Sequence, residues 1–386
     1  MREKHGTSLD KRPFIIILLT TFILILLLVF TVFAYQIGVR AGQQNGRENS
    51  SEERNEQQAS VMPTSNAKLP PLTNTENPED TVGNTRTNPL PVGSVIEAHQ
   101  WTIEVLEKER GDQAWQTLHA AHPYNQVPAA GKEYLNIKLR IQNNDLTEEK
   151  FLSFGLTGDS RIKYYSHENN LISPEPLLER FVPGRTEYEG WETFVIQENE
   201  ENLMLVFDIG EYNDPPIYLA LEENAAIPFN KTMVNITRTD LGIDPNQPVP
   251  FGQTATGEDW QIIVLDVVKG EDAWARILET NQFNDPPEAG MEYIMIKLAA
   301  RYIGLADEGE NISYSPFTIR TISGNEFDPA SVVEPEPALD YNLYPGGEAE
   351  GWIVLAVPEE MKDFMLFFSP DYSGANDRYL SLGQGR

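Results

Sequence analysis

Read from its N-terminus, the chain passes from a short charged segment into an unbroken apolar run, residues 14–35, FIIILLTTFILILLLVFTVFAY. The run has no charge, and only Thr20, Thr21 and Thr31 relieve its hydrophobicity. At about 1.5 Å rise per residue such a helix crosses the roughly 30 Å hydrocarbon layer, whereas a buried core helix would show a polar stripe. The pattern predicts a single transmembrane helix over 14–35, with the lipid bilayer as its partner. Val32, Phe33 and Ala34 resemble a small-residue cleavage site, but the run exceeds the roughly 7 to 15 residues of a signal-peptide core, so an uncleaved signal anchor is expected. Lys and Arg number four before the span, against Arg40 and Arg47 just after it. That asymmetry places residues 1–13 in the cytoplasm and the C-terminal bulk outside it.

Residues 36–90 carry Gln, Asn, Ser, Thr, Glu and Pro with few large apolar side chains. Too little surface can be buried there to offset chain entropy, so a disordered stalk is expected. Beyond it the period becomes two: Trp101, Ile103 and Val105, then Leu135, Ile137, Leu139 and Ile141, alternate with polar positions. This is the signature of half-buried strands. Further apolar runs at 194–196, 203–207 and 217–221, separated by Gly, Pro and Asn, add strands. Only 112–121 and 271–280 read as helix.

The chain also repeats itself. At an offset of 159, residues 93–139 lie over 252–298 without a gap, and 17 of 47 positions are identical; composition alone gives roughly three. The match resumes at an offset of 161, aligning Gly190-Trp191 with Gly351-Trp352 and Tyr218-Leu219 with Tyr379-Leu380. A duplication follows, with β-rich repeats at 91–224 and 248–386 and a linker at 225–247. The expected fold class is all-β: two tandem antiparallel β-sandwiches behind one transmembrane helix and a stalk.

Within each repeat, Gly-(Asp/Glu)-x-Ala-Trp is followed by (Tyr/Phe)-Asn-x-x-Pro-x-x-Gly-x-Glu-Tyr and later by Gly-Trp. This pattern resembles the telokin-like extracellular family grouped as domain of unknown function 4352. It rests on Tyr124-Asn125, Pro128, Gly131, Glu133-Tyr134 and Gly190-Trp191, and again on Phe283-Asn284, Pro287, Gly290, Glu292-Tyr293 and Gly351-Trp352. The resemblance covers both repeats, about 70% of the chain. It implies an immunoglobulin-like sandwich on exported or surface-anchored bacterial proteins, and it implies no reaction. Members are often lipoproteins; the absence of Cys here leaves the helix as the anchor.

Charge narrows the partners. The net charge is −30, and residues 1–13 contribute +2, so everything beyond carries −32. Such a body repels nucleic acid, whose binding depends on Lys and Arg displacing counterions. The candidate chemistry is thin. His119 and His122 stand at i, i+3 on one helical face, a spacing that suits a metal, but the second repeat has Leu278 and Asn281 there. His5, His99 and His167 form no base-nucleophile pattern, and no Gly-x-Ser-x-Gly elbow occurs. Asp307, Glu308 and Glu310 make an acidic loop of the kind that can hold calcium, with a solvated loop as the default. Asn49, Asn230, Asn235 and Asn311 begin glycosylation sequons. The six tryptophans form three repeat pairs and are expected in the cores; Tyr134 and Tyr293 are expected to close a sandwich end.

No catalytic, cofactor or metal site is therefore expected. The reading is a membrane-anchored, extracytoplasmic, non-catalytic binding or adhesion protein for a protein or cell-envelope ligand. The alternative is a structural spacer or accessory subunit of a cell-envelope membrane complex. An exposed aromatic patch outside the shared core would favour the first, and polar surface throughout the second. Residues 143–173 and 302–334, where the copies diverge most, are expected to carry recognition.

Overall fold

The computed structural model describes residues 82–166, 171–210, 214–229, 235–305 and 309–383. The span 14–35 lies outside these residues. Among those described, no helix is long and apolar enough to cross a membrane.

The first half contains β1 (Ile96–Ala98), β2 (Trp101–Arg110), α1 (Asp112–Ala121), β3 (Lys132–Asn143), β4 (Lys150–Phe151), β5 (Phe154–Thr157), β6 (Ile162–Lys163), β7 (Phe181–Val182), β8 (Glu187–Gln197), β9 (Met204–Phe207) and β10 (Ile217–Ala220). The second half follows the same plan: β11 (Thr254–Thr256), β12 (Trp260–Lys269), α2 (Glu271–Thr280), β13 (Met291–Tyr302), β14 (Glu310–Ile312), β15 (Phe317–Thr321), β16 (Glu326–Phe327), β17 (Tyr341–Leu343), β18 (Glu348–Pro358), β19 (Phe364–Phe368) and β20 (Arg378–Ser381).

Each half has an antiparallel four-stranded sheet of the same order, β1-β2-β3-β8 and β11-β12-β13-β18. Even the bulge repeats, between Val105 and Glu107 and between Val264 and Asp266. A second sheet, β10-β9-β5 or β16-β15-β19-β20, packs on it. In the first half Ile103, Ile137, Leu139 and Phe194 meet Phe154, Leu205, Phe207 and Leu219, so the alternation seen in sequence becomes the core face of each sheet.

Three expectations change. Residues 82–90, assigned by composition to the stalk, are folded: Gly83 turns the chain at φ 97°, Tyr218 N–H donates to Gly83 O (2.7 Å) and Leu90 bridges Leu219. Residues 241–247 of the supposed linker do the same, through Gly242 to Tyr379 N–H (2.6 Å), and lead into Val249 of the second repeat, which bridges Leu380. Backbone hydrogen bonds hold these segments, so their polar composition carried no signal. The tryptophans also divide. Trp101, Trp191 and Trp260 are buried, but Trp115, Trp274 and Trp352 are half-buried, because each short helix covers only part of the outer face of its sheet.

The described residues all fall within one compact unit. The halves are joined by strand pairing, β6 running antiparallel to β17 with Lys163 opposite Asn342 and Ile162 opposite Leu343. Tyr344 N–H donates to Arg161 O at 2.8 Å, and the Arg161 guanidinium donates to Pro345 O (3.2 Å) and Pro228 O (2.8 Å). Tyr344 is buried among Met204, Val206, Tyr218 and Ile227 of the first half, with the Arg86 guanidinium 4.2 Å from its ring centre. Burial pushes its phenol well above the ordinary tyrosine value.

Candidate functional site: two aromatic tips

Each helix begins at a glycine in the left-handed region, Gly111 (φ 59°) and Gly270 (φ 66°), a conformation costly for any residue with a Cβ. Their N–H groups donate to Tyr134 O and Tyr293 O, both at 2.9 Å, tying helix start to sheet. Ala114 and Leu118, or Ala273 and Ile277, face inward, and Trp115 and Trp274 lie against Tyr134 and Tyr293 with ring centres 6.0 and 5.9 Å apart.

An asparagine then fixes the chain after each helix. Asn125 Nδ2 donates to Leu118 O and Ile172 O, both at 2.9 Å, and its Oδ1 accepts from Ile172 N–H at 3.0 Å. Asn284 does the same with Ile277 O, Val333 O and Val333 N–H. The buried tyrosines close the turn: Tyr134 OH donates to Gln126 O (2.7 Å) and Tyr293 OH to Asp285 O (3.0 Å). The residue before each asparagine is left outside. Tyr124 is 80% exposed and Phe283 82%.

A large aromatic at the same position of both copies, almost fully in water, does nothing for the core. In the first half two ring pairs lie on this stretch, Trp115 with His119 at 4.8 Å and His122 with Tyr124 at 5.2 Å. The two histidines pack locally: the His119 ring lies tilted against Trp115, and His122 Nδ1 accepts from Tyr124 N–H at 3.3 Å. Among the described residues no group of three His, Cys, Asp or Glu could hold a metal ion. Asp307, Glu308, Asn49, Asn230, His5 and His167 lie outside the described residues. Glu310, Asn311 and Asn235 are exposed, and His99 Nδ1 is 3.5 Å from Asp214.

Two further features separate the copies. On the outer sheet face of the first half, Arg140 donates to Glu104 (2.6 Å) and Glu189 (2.9 Å). Ala299 and Ile263 replace Arg140 and Glu104 in the second half, leaving a shallow groove of about 360 Å³ lined by Gln261, Ala299 and Arg301. The first half also carries Glu200, the one acidic residue among the described residues that is buried as a whole. Glu200 accepts from Tyr164 OH (2.7 Å) and Ser160 N–H (2.7 Å), bracing the turn before β6. Desolvation raises its carboxyl above the ordinary glutamate value. The folded state therefore binds this proton more tightly than the unfolded state, and the resulting stability is full below the ordinary value and lost as pH rises through the raised one. The stability difference between the native chain and Glu200→Gln, read by urea unfolding across that window, should shift toward Gln with rising pH; a pH-independent difference would refute this.

No curated protein sequence matches the chain. Residues 249–378 match a family model, the domain of unknown function DUF4352. The match falls on the second half. Among solved structures, ycdA of Bacillus subtilis, described as a candidate lipoprotein, is 12% identical with a TM-score of 0.25, over 33% of this chain and 37% of that one. The Bacillus subtilis yjhA protein is 14% identical with a TM-score of 0.26, over 34% of this chain and 98% of that one. The chain thus spans about a third of the length of ycdA.

Proposed function

We propose that this is a membrane-anchored, extracytoplasmic, non-catalytic binding protein, built from two telokin-like, immunoglobulin-like repeats that each present one aromatic contact. The observation that carries the reading is the pair Tyr124 and Phe283, held out of the core by the same asparagine and tyrosine in each copy. Rigid exposed aromatics supply contact area at low entropic cost, and two on one body add avidity. Contact in this reading falls at a position the two copies share, whereas their divergence pointed to residues 143–173 and 302–334.

The test compares the full chain with a Tyr124→Ser/Phe283→Ser double variant for retention of cell-envelope material on an immobilised surface. Both positions are exposed, so unfolding free energies should agree within about 0.5 kcal/mol. Retention should fall at least about tenfold, as expected for aromatic anchors. Undiminished retention would favour the spacer or accessory-subunit reading, which the β6–β17 seam supports by making the two halves one stiff body.

A further inference from the structure

The ribbon β14–β17 of the second half is a docking surface already in use, because β6 of the first half adds to it. Its counterpart in the first half is the ribbon β4–β7, with Phe151 paired to Phe181 where the second half pairs Asn311 with Asn342. The two phenylalanine rings lie 4.9 Å apart and are 51% and 63% exposed. At the position of Tyr344, whose N–H completes the seam, the first half has Pro183, which has no N–H to give. At the position of Arg161 the second half has Gly324. A second copy therefore cannot repeat the seam head to tail, although a heterologous contact of this kind would otherwise propagate.

What does fit is set by charge. Glu149 and Glu179 each stand two residues before a ribbon phenylalanine, just outside the strands, and both are exposed. Lys150 and Arg180 point to the other face, toward Asp145 (3.9 Å) and Glu192 (2.7 Å). Each ring thus has an exposed carboxylate two residues before it in the chain, on a body carrying −32 beyond residue 13. We infer that the β4–β7 ribbon is a docking site for a basic, amphipathic polypeptide segment, whose apolar side chains cover Phe151 and Phe181 while its Lys or Arg meet Glu149 and Glu179. This surface is separate from the aromatic tips and stands or falls without them.

The test uses the full chain in lipid nanodiscs and three labelled synthetic peptides, Lys/Leu, Ser/Leu and Glu/Leu, read by fluorescence anisotropy. The Lys/Leu peptide should bind best, and more weakly as salt rises. Phe151→Asn/Phe181→Asn, which installs the residues the second half already carries, should weaken its Kd at least about tenfold. Tyr124→Ser/Phe283→Ser should leave that Kd unchanged. Undiminished affinity in the Asn variant, equal binding of the Glu/Leu peptide, or an equal loss in the tip variant would each overturn the assignment. So would sedimentation showing self-association that the Asn variant abolishes, since a second copy would then be the occupant.

Discussion

Trp260→Ala should lower stability by about 3 to 5 kcal/mol, the usual cost of emptying a buried aromatic site, and the chain should still unfold in one transition. Trp260 is buried with its ring centre 5.1 Å from Tyr302, and Tyr302 O accepts from Gly346 N–H (2.8 Å), two residues beyond the seam residue Tyr344. Sequence repetition alone leads to the opposite expectation, that loss of Trp101 or Trp260 harms only its own repeat. The seam argues otherwise. Unfolding one half strips Tyr344 of Met204, Val206, Tyr218 and Ile227 and breaks the Arg161 bonds to Pro345 O and Tyr344 N–H, so the halves lose free energy by separating. Calorimetry decides, since a cooperative unit gives equal calorimetric and van't Hoff enthalpies. Two transitions in Trp260→Ala, one of them unshifted, would restore independent repeats. Tyr344→Ala should produce that split by emptying the seam.

The parts of this fold that sequence revealed are those with a period. Trp101, Ile103 and Val105 alternate and so point to one face; 112–121 and 271–280 read as helix and are helix at those bounds. The seam has no such signal. β6 is two residues long, and its partner lies about 180 positions away, joined through backbone atoms that every sequence possesses. Residues 82–90 were obscured likewise, because Gly83 and Leu90 act through main-chain bonds to Tyr218 and Leu219. At the tips the motif itself was visible, since (Tyr/Phe)-Asn occurs in both copies. Its exposure was not, because it follows from where Asn125 and Asn284 find carbonyls 47 and 49 residues further on. The ribbon lay partly within the divergent stretch 143–173, which contains Phe151, but its meaning depends on register with Phe181.

Glycine offers the sharpest contrast between two physical causes. Gly190→Ala should cost about 3 kcal/mol or more, because the new Cβ would stand 2.4 Å from Leu178 N and Cα, backbone atoms that cannot swing aside. The segment it would strike is fixed to the same strand: Trp191 N–H donates to Pro176 O (2.8 Å) and Leu178 N–H to Trp191 O (3.2 Å). Gly351 repeats the arrangement, with Leu339 N at 2.4 Å and Trp352 N–H on Pro337 O at 2.8 Å. Gly131 has the opposite reason for being glycine, since nothing lies within 4 Å of a Cβ there but its φ is +77°. Gly131→Ala should therefore cost only the left-handed penalty, about 1 to 2 kcal/mol. Urea unfolding of both variants ranks the two causes. If Gly190→Ala proved the milder change, the crossing chain at 176–178 would have to yield, and the close approach would not be what holds this strand in place.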